Sequence, residues 1–390
     1  MSKNKYIYLL FFFILLLFVI PLPQYYLIAS SLMTGTLFFC ILFLGTFSFF
    51  GNFLFEKKVF NQIIFFEIII IIHLLLCSFF FKNVDFLRGF LSILMFHLFI
   101  FTSYFLSKKI ISLNAKLLNN ILNICFVIFM LSFVGSFFPS IQNINNTKPI
   151  IPYNEPSHYA LFFMPFLYYK TFTANTQKKI IYIIIGGFIA LFLKNFTLLV
   201  GVALCIILNF RKKSIIILVV TGLLMFFYLD LTYFSDRLKL TTDSDNLSVL
   251  VFVQGWQLAY NSLKETYGLG IGIQQLGFVK VETEAGDTII RLLGRNVNDT
   301  DAGLTFGKIV SEFGLLGVFL IIIYLKYFYK IYIKISTIKN KNILFACSIY
   351  FAFSLDIFIR GIGYFNTPFL LFFTAIFILK NYFKHENNLR

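Results

Sequence analysis

Apolar runs make up most of this chain, and what interrupts them is short: a pair of lysines, an Asn-rich turn, a proline. A helix needs about 20 apolar residues to cross the hydrocarbon core of a bilayer, fewer where protein surrounds it. Twelve stretches meet that requirement, near 6–22, 27–50, 59–81, 86–106, 117–138, 157–172, 180–194, 196–210, 214–231, 306–325, 343–360 and 367–383. The pattern predicts an all-α polytopic membrane protein. One step is ambiguous, because 180–210 is long for one span and short for two. Basic clusters flank it on both sides, "TQKK" and "RKK", so the chain must leave and return, and two short helices meeting near "KNFT" are expected. A single tilted span, making eleven in all, is the alternative.

Only 232–305 departs from this pattern over a long stretch. It holds nine of the 17 acidic residues, the composition of a folded, water-facing cap. Within it, "NLSVLVFVQGWQLAYNSLKE" places Val249, Phe252, Val253, Trp256, Tyr260 and Leu263 at helical spacing, behind Asp and Asn residues suited to an N-cap. An amphipathic helix is expected near 247–264, lying on the membrane or on other helices, with the single Trp as an interfacial residue. The organisation is then 1–231 with spans one to nine and a short external loop at 139–156, the large external loop 232–305, and 306–390 with the last three spans.

Composition agrees with this reading. Of 390 residues, 59% are hydrophobic and 56 are Phe, far outside the range of soluble domains. A formal net charge of +16 would suggest nucleic acid in a soluble protein. Here 21 of the 33 basic residues fall on one side of the predicted spans and ten on the other, which places both termini in the cytoplasm and leaves no reason to expect a nucleic-acid partner. The basic, apolar N-terminus lacks a small-x-small cleavage site and reads as an uncleaved first span. Cys40, Cys77, Cys125, Cys205 and Cys347 all lie in apolar runs, so no disulfide framework is implied, and the scattered histidines give no zinc spacing.

The candidate chemistry lies at the edges of the spans. In "YNEPSHYALFF", Pro152 and Pro156 disfavour helix at the residues before them, which holds Glu155 in extended backbone. Ser157 is expected to cap the following span, with His158 in its first turn. A carboxylate and an imidazole are thereby presented together, where proton transfer is geometrically possible; helix capping alone is the plainer alternative. Gly268, Gly270 and Gly272 in "GLGIGIQQLG" permit close backbone approach to a ligand and could cradle phosphate, or could form a turn. Arg291 and Arg295 precede the tenth span and Arg360 sits in the last external loop; guanidinium forks suit pyrophosphate. Lys308 and Glu312, spaced i, i+4, are expected to neutralise one another, and Gly314 and Gly317 to be packing positions. Glu67, His73 and His97 stand as isolated polar residues within spans and are expected to serve interhelical packing.

Three blocks, "NEPSHYALFFMPF", "NLSVLVFVQGWQLAYNSLKETYGLGIGIQQLGF" and "LTFGKIVSEFGLLG", resemble the O-antigen polymerase family of bacterial inner membranes. They occur in the expected order over roughly 150–320, and the middle block is the most specific; the first 140 residues resemble the family only in being spans. The resemblance implies a multi-helix glycosyltransferase of the GT-C type, working at the periplasmic face. It would transfer a growing polysaccharide from undecaprenyl pyrophosphate onto a new lipid-linked repeat unit in lipopolysaccharide biosynthesis. The lipid pyrophosphate supplies the leaving group, so no nucleotide sugar or ATP is needed, and no metal cofactor is expected. Under this reading Glu155 and His158 are the catalytic candidates, and Arg291, Arg295, Arg360, Gly268, Gly270 and Gly272 bind substrate or pyrophosphate. Membrane lipid and a polysaccharide chain-length regulator are implied partners.

Related O-antigen ligases share the "ExGxxG" end, here Glu312, Gly314 and Gly317, but resemble one another in a His-Asn pair within the large loop. This chain has no histidine from 159 to 384, which favours polymerase over ligase. A lipid-linked oligosaccharide flippase or other transporter is the alternative of a different class. Such proteins often show paired broken helices, and only one break, near 194–197, is visible.

Overall fold

The computed structural model describes residues 3–22, 32–50, 55–81, 83–138, 150–219, 235 and 237–388. Among these the chain is all-helical, with no strand. The helices are α1 Lys3–Ile14, α2 Leu32–Phe50, α3 Lys57–Phe80, α4 Phe86–Ser112, α5 Ala115–Gly135, α6 Pro156–Thr173, α7 Thr176–Phe192, α8 Phe196–Phe210, α9 Leu247–Glu265, α10 Glu284–Leu293, α11 Thr305–Lys334, α12 Lys341–Phe358 and α13 Thr367–Asn388. Five of them, α3, α4, α5, α11 and α12, are long and apolar enough to cross a membrane. Parts of the expected spans 27–50 and 214–231, and part of the loop at 139–156, lie outside the described residues.

The ambiguous stretch resolves into two helices. α7 ends at Phe192 and α8 begins at Phe196, with Lys194 at φ 47° and the Asn195 side chain accepting from the Leu198 amide at 2.8 Å as an N-cap. Asn suits the N-cap, since its short amide side chain satisfies an orphan donor of the new helix.

Burial separates centre from periphery. In α12, 83% of the apolar stretch is buried, against 33% in α3, so α12 runs through the bundle enclosed on all sides while α3 keeps an open face. α12 packs on α6 and α13, and α13 packs on α4. The contacts are largely aromatic: Phe353 stacks on Phe372 at 4.0 Å, and Tyr324 of α11 stacks on Tyr350 of α12 at 5.0 Å. Each of those tyrosines donates its hydroxyl to the other's carbonyl, at 3.0 and 3.1 Å, which satisfies both phenols without water. Asn342 ties the start of α12 to the end of α4, donating to the carbonyls of Ile110 and Leu113 at 3.0 Å.

The segment 237–304 forms a cap on one end of this bundle. α9 lies along α11, and α10 lies along α9. The expected helix is present, with Asn246 as its N-cap; of the face the apolar spacing picks out, Val249 is buried and Phe252, Val253 and Leu263 are partly buried, but the centre of the buried face is shifted. Leu250, Val251, Gln254, Gly255, Leu258 and Ala259 face the protein, whereas Trp256 and Tyr260 are exposed. The reason is steric. A Cβ on Gly255 would lie 2.3 Å from the Ala302 carbonyl oxygen, and one on Gly307 would lie 2.5 Å from the Gly255 carbonyl oxygen, so the two backbones cross where side chains are missing. Trp256 rests on Phe306 with ring centroids 4.4 Å apart, at the edge of that crossing.

The glycine-rich segment after α9 meets a break in α11. Gly314 has φ 59° and ψ −133°, which bends the helix sharply. The freed backbone groups find partners across the crossing: Ile271 N donates to Ser311 O at 3.0 Å, Gly272 N to Glu312 O at 2.9 Å, and Leu315 N to Gly268 O at 2.8 Å. A Cβ on Gly270 would stand 2.5 Å from Gly314 N, and one on Gly314 would stand 2.1 Å from Gly268 O. The packing role expected for Gly314 is thus observed. What Gly270 approaches is the α11 backbone, whereas a Cβ on Gly268 would meet the Leu315 side chain and one on Gly272 the side chains of Gln275 and Cys77. Gly270 N also donates inward, to Thr266 Oγ1 at 2.8 Å, so the amides of Gly270 and Gly272 are not free to cradle phosphate.

Candidate functional site

Pro156 opens α6 at its first helical position, where its missing N–H costs nothing. Glu155 before it is extended, at φ −133° and ψ 147°, as the flanking prolines require. Ser157 does not cap the helix. Its hydroxyl donates instead to Glu155 Oε2 at 2.9 Å, because Glu155 occupies the N-cap position and Ser157 is the second residue of the helix. His158 follows in the first turn, 8% exposed, and its ring nitrogens make no hydrogen bond among the described residues.

Arg360, 205 positions away in sequence, completes this corner: its Nη2 donates to Glu155 Oε2 at 3.1 Å. The loop carrying it closes onto the start of α11, with Gly361 N donating to Gly303 O at 2.9 Å. Gly363, at φ 84°, lets Asp301 approach; a Cβ there would lie 2.7 Å from Asp301 Oδ1. The charges of Glu155, Arg360 and Asp301 all act on His158. Burial pushes the Glu155 carboxyl up, but His158, Arg360 and the Ser157 hydroxyl outweigh it and hold it at about 2. Glu155 is therefore a permanent carboxylate near neutral pH.

Behind this corner lies a buried ionic group. Lys308 is 1% exposed and Glu312 0%, and they pair at 3.3 Å as their i, i+4 spacing suggests. Asp301 lies 3.6 Å from the same ammonium, the Thr300 carbonyl accepts from it, and the Tyr364 ring lies 5.1 Å away. Two carboxylates, a carbonyl and a ring offset the cost of burying one ammonium. Asp356, fully buried in α12, accepts from Thr305. Its other oxygen, together with Arg360 Nε and Asn154 Oδ1, is buried without a protein partner. These orphaned atoms lie on the elements that form this corner, and such groups cost about 1–3 kcal/mol each when nothing meets them. Asp356 was legible as a lone acid in the apolar run "SLDIF", a stronger signal than the spacing of Asp301 or Tyr364.

Arg291 and Arg295 do not join this group. α10 buries Ala285 and Ile289 against Leu250 and Val251 of α9, which turns Arg291 to its exposed side, and Arg295 follows the Gly294 C-cap, also exposed. Neither forms an ion pair among the described residues. Of the three expected arginines, only Arg360 contacts Glu155; the second cation there is Lys308, too enclosed to meet a ligand.

The intraspan polar residues are partnered. His97 Nδ1 contacts Glu67 Oε1 between α3 and α4, and His73 Nε2 bonds the Leu269 carbonyl at 2.8 Å. Glu67 is thus not unaccompanied, and His73 helps hold the glycine segment on α3. Arg88 and Asp85 anchor the same segment from α4: Arg88 Nε donates to Gln274 O at 2.8 Å, and Asp85 N to Gln275 Oε1 at 2.8 Å. Among the described residues no group of three or more His, Cys, Asp or Glu side chains is placed to hold a metal ion. Comparison of the chain with protein-family models, with curated proteins and with solved structures finds no match.

Proposed function

We propose that this chain is an O-antigen polymerase, a membrane glycosyltransferase that moves a growing polysaccharide from undecaprenyl pyrophosphate onto a new lipid-linked repeat unit. The observation that carries the reading is the meeting of Glu155, His158 and Arg360, contributed by the start of α6 and the loop between α12 and α13, at the cap end of an apolar helical bundle. The sequence resemblance and the basic-residue asymmetry point that end toward the periplasm.

The chemistry divides among the three side chains. An acceptor hydroxyl attacks the anomeric carbon, forming one C–O bond as the bond from that carbon to the pyrophosphate oxygen breaks. Its proton passes to a base, and the bonding electrons leave with the pyrophosphate. A base works best with a pKa near the operating pH, which a carboxylate held at about 2 lacks. His158, with unbonded ring nitrogens, takes the proton. Glu155 stays anionic, stabilises the imidazolium that forms and holds Arg360 in place. Arg360, with Nε unsatisfied in the protein, receives the departing pyrophosphate. No metal is assigned a step; activity abolished by a chelator and restored by one divalent ion would overturn that.

The first test is deletion of the gene in its native host, with lipopolysaccharide examined by gel and the plasmid-borne gene as control. Single-repeat lipopolysaccharide in place of a ladder is expected, because ligation and flipping still operate. Loss of even the single repeat would identify a ligase or flippase instead.

A further inference from the structure

The cap holds a second feature, which the reaction above does not use. Between α9, α10 and the segment 277–283 lies a cavity of ≈130 Å³, lined by Gln254, Phe278, Glu282, Asp287, Asn296 and Asp299 among others. Gln254 is 4% exposed, and its Oε1 has no partner in the protein. It is held there by the close fit of Gly286, where a Cβ would stand 3.2 Å from Gln254 Nε2 and 2.5 Å from Thr283 Oγ1. Thr283 caps α10 through the Gly286 amide at 3.1 Å, and the Gln257 side chain accepts from Ala285 N at 3.0 Å, so the wall is rigidly built. Phe278 covers one side. It is half exposed, with the Arg88 guanidinium 3.6 Å from its ring centroid.

We infer that this cleft binds one uncharged sugar unit of the saccharide substrate, a reading that rests on the proposed function for its biological role. A buried amide with an orphan acceptor, carboxylates that accept, a second amide and an aromatic edge match the alternating hydroxyls and C–H faces of a pyranose. An anionic ligand is disfavoured: Asp287, Asp299 and Glu282 border the space, and its one lysine, Lys280, is held by Glu282 at 2.6 Å. The volume is below the ≈300 Å³ at which drug-sized pockets begin, so it takes a single ring and not an oligosaccharide. The cleft is the cap's grip on one end of the chain being extended, separate from the residues that carry the transfer.

The test uses the full-length protein in nanodiscs with a panel of free monosaccharides: glucose, galactose, rhamnose and N-acetylglucosamine. Saturation-transfer NMR reports binding without any need for turnover. At least one sugar is expected to bind. Asp287→Ala, on an exposed position that leaves the fold intact, is expected to raise its Kd about tenfold, and Gln254→Leu to abolish the signal. His158→Gln is expected to bind as the wild type does. Absence of saturation transfer from every sugar, or unchanged affinity in Asp287→Ala and Gln254→Leu, overturns the subsite. The gel after gene deletion reads the function separately: an intact ladder alongside sugar binding at the cleft would defeat the polymerase reading and leave the subsite standing.

Discussion

A carboxylate held at about 2, as Glu155 is, binds fewer protons in the folded chain than in the unfolded one between about pH 2 and 4.5. Its contribution to stability is therefore complete above about pH 4.5 and is lost as pH falls toward 2. Thermal unfolding of the detergent-solubilised protein between pH 3 and 7 is expected to show an acid-side loss in the wild type that Glu155→Gln lacks; parallel pH profiles would remove the Glu155 charge as its cause. The same charge pattern separates the arginines. Arg360→Ala is expected to lower long-chain polymer about 10²-fold with protein still in the membrane, whereas Arg291→Ala, turned outward on α10, is expected to leave the ladder near normal. A gel ranking the two the other way would overturn the site. Glu155 could be found in the sequence because two prolines constrain it from its immediate neighbourhood. Its partner Arg360 could not be distinguished from Arg291 and Arg295, since all three have equal local credentials and only the path of the chain brings one of them to Glu155.

The break in α11 works the same way one level up. Four glycines, Gly268, Gly270, Gly272 and Gly314, sit at positive φ where a loop and a bent helix exchange hydrogen bonds. Gly270→Ala adds a Cβ that meets backbone at 2.5 Å and forces an unfavourable φ of 84°, so a loss of more than about 3 kcal/mol is expected, read as a fall in melting temperature or in membrane yield. Alanine at Gly187, which has open space where a Cβ would go, is the matched control and is expected to melt as the wild type does. Recurring glycines announce close approach but not what approaches. The two-helix reading of 180–210 was legible because it followed from flanking charge; the buried face of α9 was not, because Gly255 and Gly307 override the apolar periodicity that surrounds them.

At the scale of the molecule, apolar side chains are exposed on helices that line the bundle, such as Phe65 and Ile72 on α3 and Leu315 and Phe319 on α11, while α12 is enclosed. This suits a bilayer, where exposed apolar surface costs nothing. All five native cysteines are buried, so single introduced cysteines can report sidedness against a low background. A membrane-impermeant maleimide is expected to label Tyr267→Cys, at the cap end, in cells whose outer membrane is opened and whose inner membrane is intact. Lys339→Cys, between α11 and α12, should react only after the membrane is permeabilised. Equal labelling would refute the orientation.

What the sequence determined by itself is whatever depends on near neighbours: the all-helical character, the break near Lys194, the N-cap at Asn246, the extended Glu155 and the Lys308–Glu312 pair. Each is set by periodicity, by proline and glycine backbone preferences or by an i, i+4 spacing, all of which act within a turn or two of helix. The tertiary structure alone decided which arginine meets Glu155, which backbone the glycines admit, which face α9 buries and where Gln254 is left with an unmet acceptor. Those outcomes depend on contacts between segments tens to hundreds of residues apart, and a contact of that kind is settled by packing of the whole bundle, where steric fit outweighs any local preference.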